Sequence, residues 1–510
     1  MADEVLQVAR RVGVVAGRTL VYVLIWAGLA LLIAAAGIRY YWGEISVSQM
    51  LMNLVSVETD GGGGSIVWVA ILGIGVAPLL ITLGIALWQY VRRRKHPRRS
   101  QWISRTVSTT LVAAVVLGGT TAFDTTVGVR DYIAAANSQY DLGEYYVEPT
   151  VTSDEHKRNL VLIYLESGEA TLSDDQLFEK DAFASLEEAT KVSDGWQSVE
   201  DLQQYKSGGW TMGGLVATQC GIPLKGMASP SAGPQTNALG GDASSYLGGL
   251  TCMGDVLDEH GYTNVFLGGA NAAFGAKDTF LSTHGYSEQK GLFDWRAAGE
   301  PEENFRSDWG LSDQRLLAHA RDEVDELHAQ AERTGQPFNL TLLTLDTHEP
   351  AHVFDYCDVD TQNEVTSVYA CSMTLVAGFV DYLTEKGYLD DTTVVIMGDH
   401  LKRMGADDPF HEQLDGADRT IFNRFWIPGD DYDTTTLRPR VDQMNMFATI
   451  LEAAGLTLRD GEAGVGVSAF APSVPKRSAQ TMETVAYGEL LDSLSPDFYE
   501  RAWAGDDGGQ

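Results

Sequence analysis

Three long apolar stretches precede residue 125, and more than any other feature they restrict what this chain can fold into. The first runs from about Val14 to Ile38, the second from about Ile66 to Tyr90 and the third from about Val107 to Phe123. A helix needs roughly 20 apolar residues to cross a hydrocarbon core, so the first two qualify and the third is marginal. Arg18 and Thr19 lie inside the first stretch and move its apolar start to Leu20. Three such stretches in succession, with no small-residue cleavage site, read as an anchor and not as a secretory leader.

The basic residues orient that anchor. Arg92-Arg93-Arg94-Lys95-His96-Pro97-Arg98-Arg99 separates the second and third stretches and is expected to stay cytoplasmic, with Arg10 and Arg11 on the same side. The intervening loop, about Tyr40 to Ser65, carries Glu44, Glu58, Asp60 and the Gly61–Gly64 run and falls outside. A third crossing then delivers everything after Asp124 to the outer face; without it the rest of the chain would be cytoplasmic. The expectation is a multi-pass plasma-membrane protein in four parts. Residues 1–130 form an anchor of three transmembrane helices, 131–157 a juxtamembrane linker, 158–475 an extracytoplasmic catalytic domain and 476–510 a C-terminal extension.

Charge divides the chain at the same place. Residues 1–130 hold twelve Lys/Arg against six Asp/Glu, whereas the remainder holds 24 against 64, which makes up the net −34. A domain this acidic repels nucleic acid, so a nucleic-acid partner is excluded, while the substrate is left open. All four cysteines, Cys220, Cys252, Cys357 and Cys371, lie in the acidic part, and none forms a CxxC pair. Their even number suits two disulfides in an oxidising compartment; four buried thiols are the alternative.

From Asn159 the pattern becomes that of an α/β domain. Asn159–Leu165 is a short continuous apolar run, as in a strand buried on both faces. Asn264–Leu267, Asn339–Leu345 and Thr392–Met397 follow, alternating with helical patterns that include Asp313–Arg333 and Ser367–Lys386. This order predicts a largely parallel sheet flanked by helices, with function at the carboxyl ends of the strands. Three of those ends carry reactive groups: Glu166, then Asp346-Thr347-His348, then Asp399-His400.

Two carboxylates and an imidazole, Glu166, Asp399 and His400, make a mixed oxygen and nitrogen set suited to Mn²⁺, Zn²⁺ or Mg²⁺. A candidate nucleophile lies in Gly208-Gly209-Trp210-Thr211-Met212-Gly213-Gly214, where flanking glycines let the backbone approach a phosphate. A hydroxyl at a helix start would sit among free N–H donors, and a metal would lower its pKa. Singly, each feature has a plainer reading: a turn for the Asp-His pair, a loop residue for Thr211, packing against Pro350 for His348.

Together these segments resemble the phosphoglycerol transferases of the alkaline-phosphatase/sulfatase superfamily, which include lipoteichoic acid synthases. The resemblance runs from about Tyr145 to Phe470 and is closest to the branch that modifies periplasmic glucans. Ser207–Leu224, reading SGGWTMGGLVATQCGIPL, is its most specific part; Leu162–Glu166, DWGLSDQRL, LDTHEP, GDHL and VDQMNMFATILEAAGL match in order. The resemblance implies an alkaline-phosphatase/sulfatase-like α/β fold. Thr211 would be the nucleophile, and Glu166, Thr211, Asp399 and His400 would bind one divalent cation, Mn²⁺ before Mg²⁺ or Zn²⁺. His348 would contact the phosphoryl group and carry a proton. Trp210, Lys277, Asp278 and Asp346 would lie on the substrate side, and Cys220 would pair with Cys252 and Cys357 with Cys371. The similarity loosens at Lys402-Arg403-Met404, which leaves acceptor recognition open.

The activity so implied is transfer of glycerophosphate from phosphatidylglycerol to a hydroxyl of a cell-envelope glycan or glycolipid, through a covalent Thr211 intermediate. Phosphoethanolamine transfer, or a sulfatase or phosphodiesterase passing the group to water, are the enzymatic alternatives; a glycan-binding envelope protein without metal is the non-enzymatic one.

Overall fold

The computed structural model of the chain describes residues 2–43, 45–47, 50, 68–95, 101–226, 245–306, 309–406, 408–429, 437–439 and 441–504. Glu44, the Gly61–Gly64 run, His96 to Arg99, most of the glycine-rich stretch that begins at Ser229, and Asp308 lie outside these residues. The chain packs as two units, one centred on the N-terminal helices and one on residues 134–403 and 409–504.

In the first unit, α1 covers Ala2–Tyr41. A π-helical turn, Ile71–Val76, leads into α2, Ala77–Lys95, and α3 covers Gln101–Val127. The apolar parts long enough to cross a membrane are Val12–Tyr41, Trp68–Arg92 and Ser108–Val127, so the marginal third stretch lies within a 20-residue apolar helix. α1 and α3 touch backbone to backbone: a Cβ on Gly119 would lie 2.3 Å from the Gly28 carbonyl oxygen. Small residues permit such approaches between membrane helices. Tyr22 Oη donates to Gln89 Oε1 at 3.1 Å, a polar tie from α1 to α2.

The second unit is built on a six-stranded sheet. Its strands are β1 Asn159–Leu165, β2 Thr263–Gly268, β3 Glu288–Lys290, β4 Phe338–Leu343, β5 Thr392–Gly398 and β6 Asn423–Trp426. Their order is β3-β2-β4-β1-β5-β6, parallel throughout except for β6, which runs antiparallel to β5. β1, β4 and β5 are buried along their whole length, which explains why β1 reads as a continuous apolar run and why the polar residues of β4, Asn339 and Thr341, are buried as well. The ladder ends at Leu343, short of Leu345, because the Leu345 N–H is taken by the Asp313 carboxylate at 2.6 Å.

Helices cover both faces of this sheet. α4 Thr211–Cys220, α5 Met253–Glu259 and α9 Gln443–Ala453 share one apolar cluster with Leu160, Leu162 and Tyr164 of β1. Between them in sequence come α6 Lys277–Thr283, α7 Asp313–Thr334 and α8 Glu364–Lys386, with α7 packed on α8 and β4. α8 is long and apolar enough to span a membrane by composition, yet it is a buried helix of this unit and carries Cys371. The segment read as a connector, 131–157, is structured: it starts in a helix, Val129–Ala136, and Val151–Ser153 pairs with Thr457–Leu458. The C-terminal residues also join the core. In α10 Thr484–Asp492 and α11 Pro496–Trp503, Leu490 and Tyr499 are fully buried, and Tyr499 donates to the Pro223 carbonyl. Disulfides join Cys220 to Cys252 and Cys357 to Cys371.

Candidate functional site

The three central strands place their carboxyl ends side by side. β1 lies between β4 and β5, and Leu165 is in register with Gly398, so Glu166 and Asp399 emerge as neighbours one residue later. The chain crossing there is tight: a Cβ on Gly398 would lie 2.1 Å from the Gly168 carbonyl oxygen, and one on Gly168 2.7 Å from Gly398 Cα. Only glycine lets these two turns touch, and their contact holds the two carboxylates together. Ser167 takes a left-handed conformation, φ 53°, which lets its N–H donate to Asp399 Oδ1 at 2.9 Å. Its hydroxyl donates to Glu166 Oε1 at 2.8 Å.

Glu166, Asp399 and His400 are all buried, and one ligand atom from each lies within 4.8 Å of the others. His400 Nδ1 faces the Leu401 carbonyl at 2.8 Å, so that nitrogen carries the proton and Nε2 presents a lone pair. Nε2 lies 3.6 Å from Glu166 Oε1 and 3.5 Å from Asp399 Oδ2. Asp399 Oδ1 accepts from the N–H groups of Ser167 and His400, whereas Oδ2 is buried and accepts no hydrogen bond from the described residues. An orphaned carboxylate oxygen beside a bare imidazole nitrogen and a second carboxylate is a donor set that fits a divalent cation. Burial pushes the Asp399 carboxyl well above its ordinary range, a cost that a bound cation offsets. Burial also opposes ionisation of Glu166, but the neighbouring His348 and His400 and the hydrogen bonds from Ser167 and Thr211 outweigh it and hold that carboxyl below its usual value.

Thr211 is the first residue of α4, and its Oγ1 donates to Glu166 Oε2 at 3.3 Å. The N-cap residue Trp210 makes no side-chain cap, so among the described residues the leading N–H groups are left for an oxyanion. α4 approaches closely because it carries glycines on its inner face: a Cβ on Gly214 would lie 2.0 Å from the Asp399 carbonyl oxygen. Trp210, at the N-cap and partly buried, has its indole Nε1 against Gly213.

His348 donates from Nδ1 to the Glu349 carbonyl at 2.7 Å, which leaves Nε2 available, and its ring packs on Trp309 at 4.3 Å. Burial lowers its pKa and Arg306 lowers it further, against the attraction of Glu166. Lys277 begins α6, is 4% exposed, and feels the charges of Glu166, Asp399 and Asp278; burial nonetheless lowers its pKa. Asp278 and Asp346 both accept hydrogen bonds within the protein. Asp278 Oδ1 accepts from Thr279 N at 2.7 Å, and Asp346 accepts from Asp313 N and from the Tyr356 hydroxyl. Asp346 thereby shapes the turn that carries His348. Lys402 and Arg403, where the sequence resemblance loosens, both pair with Glu349, the neighbour of His348.

Sequence reasoning did not single out the supporting groups. Thr344 Oγ1 accepts from Glu166 N at 2.9 Å and Thr347 Oγ1 donates to the Glu166 carbonyl at 2.6 Å. Gln204 accepts from Leu401 N at 2.7 Å, and Gln443 donates to the Asp399 carbonyl at 2.8 Å. Their partners are main-chain groups from distant segments, which no spacing rule reveals. Among the described residues, one other cluster has metal-ligand chemistry, Cys220, Cys252 and His284, but its two sulfurs are joined to each other.

Residues 227–456 match the family described as Sulfatase. The chain carries a sulfatase-family domain. The family match contains His348, Asp399 and His400, and begins after Glu166 and Thr211. Proteins named phosphoglycerol transferase I from Salmonella typhi and from Salmonella typhimurium are each 30% identical over 486 residues, covering 91% of this chain. The chain spans 57% of the length of those relatives. Within the alkaline-phosphatase/sulfatase-like fold, the lipoteichoic acid synthase LtaP from Listeria monocytogenes superposes with a TM-score of 0.50 at 14% identity. That superposition covers 73% of this chain and 98% of LtaP. It supports the fold of the family domain and nothing finer.

Proposed function

We propose that this chain is a membrane-anchored, metal-dependent phosphoglycerol transferase whose catalytic unit faces away from the cytoplasm. The observation that carries the reading is the Thr211 hydroxyl, at an uncapped helix start, hydrogen-bonded to a carboxylate of a buried Glu-Asp-His group. The relatives named phosphoglycerol transferase I support the choice of donor group. Glu166, Asp399, His400 and Thr211 would hold one divalent cation, Mn²⁺ in this reading, which supplies charge neutralisation and favours the alkoxide.

The residues then divide the work. Thr211 Oγ1 gives up its proton to His348 Nε2 and attacks the phosphorus of phosphatidylglycerol; the P–O bond to diacylglycerol breaks, and the departing oxygen takes that proton from His348. The free N–H groups at the start of α4 and the Lys277 ammonium bind the phosphoryl oxygens. In the second step a hydroxyl of an envelope glycan or glycolipid attacks the glycerophosphoryl-threonine. His348 Nε2 accepts that proton and the P–O bond to Thr211 breaks, returning a hydroxyl. Three apolar helices fit this chemistry because the donor is a lipid that stays in the bilayer.

The test is mass spectrometry of full-length protein after incubation with labelled phosphatidylglycerol and Mn²⁺. A glycerophosphate adduct on Thr211 is expected. A phosphoethanolamine adduct would reassign the donor, and steady release of free glycerophosphate without acceptor would make water the acceptor.

A further inference from the structure

Gln443 is fully buried at the first position of α9, and its side-chain amide joins three segments that the sequence keeps far apart. Its Nε2 donates to the Asp399 carbonyl oxygen at 2.8 Å, and its Oε1 accepts from Tyr205 N at 3.3 Å. Its own N–H donates to the Gln203 carbonyl at 3.1 Å, while Gln203 N donates to the Val441 carbonyl at 2.9 Å. Tyr205 and Gln203 begin the loop that ends at Thr211. A Cβ on Gly208 would come within 2.6 Å of Gln443 Oε1, and one on Gly214 within 3.4 Å of Nε2. The amide therefore lies between the loop before Thr211, the helix that Thr211 begins and the main chain of Asp399. All of its polar atoms are used, and each partner is a backbone group with no freedom of its own.

We infer that Gln443 is a positioning residue, whose amide sets the distance between the Thr211 loop and the Asp399 turn so that both address one cation. The inference rests on the metal-dependent reading above. A hydrogen bond to the main chain of a ligand residue acts as an outer-shell contact does, and loss of such contacts typically weakens metal binding ~10–100-fold. Because the same amide fixes the Thr211 loop, its removal also misplaces the nucleophile, for which a shift of about 1 Å costs on the order of 100-fold in rate.

The test uses full-length protein in detergent, with Mn²⁺ affinity read by electron paramagnetic resonance and turnover on phosphatidylglycerol measured in parallel. Gln443→Met keeps the volume and removes both bonds; Gln443→Glu keeps the shape, replaces the donor by an acceptor, and serves if the first variant does not fold. The control is Asn445→Leu. Asn445 is an equally buried amide two residues on, but it donates to the Val467 carbonyl at 2.8 Å. Expected are Mn²⁺ affinity at least ~10-fold weaker and kcat lower by ~10–100-fold for the Gln443 variants, with KM for the donor little changed. Asn445→Leu should lower Tm and leave Mn²⁺ affinity within about twofold of the parent, as a contact away from the ligands does. Parental Mn²⁺ affinity and kcat in a folded Gln443 variant, or equal weakening in Asn445→Leu, overturns the inference alone. Absence of Mn²⁺ binding by the parent protein overturns it together with the proposed metal site.

Discussion

Replacing Gly214 by alanine tests whether the contact between α4 and the Asp399 turn builds the site. The new methyl would lie 2.0 Å from the Asp399 carbonyl oxygen and 2.8 Å from its carbon, where ordinary contact begins at 3.4 Å. Helix and turn must therefore part by about 1.4 Å, and the obstructing atom is backbone, so no side chain can rotate away. Within a helix, alanine is favoured over glycine by about 1 kcal/mol, whereas overpacking a core costs about 1–3 kcal/mol. The two nearly offset each other, and the net loss of stability is about 0–2 kcal/mol. Catalysis has no such offset. A separation above 1 Å between nucleophile and ligands costs on the order of 100-fold. Initial rates of glycerophosphate transfer, with Tm from scanning fluorimetry, would thus show a folded protein with about 1% activity. Gly213→Ala is the internal comparison, since its methyl meets Trp210 Nε1 at 2.7 Å, a side chain that can move. Gly214→Ala with activity within threefold of the parent would refute the idea that this contact positions Thr211.

The remaining predictions address the nucleophile, a disulfide and a buried lysine. Thr211→Ala should abolish adduct and transfer yet move stability by less than about 1 kcal/mol, because Oγ1 makes one 3.3 Å hydrogen bond; mass spectrometry and Tm measure the two. Cys220→Ser with Cys252→Ser should cost about 3–4 kcal/mol by the loop-entropy estimate, since the bond closes 32 residues of chain; denaturant unfolding reads it. Lys225 is buried, and burial depresses its pKa to about 7, below an unfolded value near 10.5. A group depressed in the folded state contributes stability above its unfolded pKa and loses it as pH falls through the folded one, so Tm should rise from about pH 7 toward 10. Lys225→Met should flatten that rise.

Much of the sheet was legible because β1, β4 and β5 are buried on both faces and so are rich in apolar residues, with Glu166 and Asp399 directly after β1 and β5 and His348 on the turn that follows β4. The linker and the C-terminal extension were less legible. Segments that cover a core carry few apolar residues each, so Leu142 and Tyr499 are buried without any periodic pattern announcing it. Within the site, residue type alone does not show that the Asp346 carboxyl accepts hydrogen bonds from Asp313 N and Tyr356. A sequence states which groups can bind a substrate, but whether a carboxylate is free depends on partners supplied by other elements. Gln443 is the converse case, a neutral amide whose importance lies wholly in what surrounds it.

Electrostatics gives the strongest reason for a cation at this site. After residue 130 the chain carries 64 acidic against 24 basic residues, yet the proposed donor is itself a phosphodiester anion. Two of those carboxylates, Glu166 and Asp399, meet at the strand ends, and among the described residues Asp399 Oδ2 is buried without a hydrogen bond. Lys277 and the N-terminus of α4 supply one full positive charge and about half of another. With Asp399 ionised and both histidines neutral, as cation binding requires, they leave the centre net negative. A phosphate brought there would be repelled rather than held, since like charges at close range in a buried site repel strongly. A divalent cation among Glu166, Asp399 and His400 reverses the sign at the point where Thr211 lies. The ion that fits the orphaned oxygen would therefore also favour entry of the proposed anionic donor, before any bond to phosphorus is made.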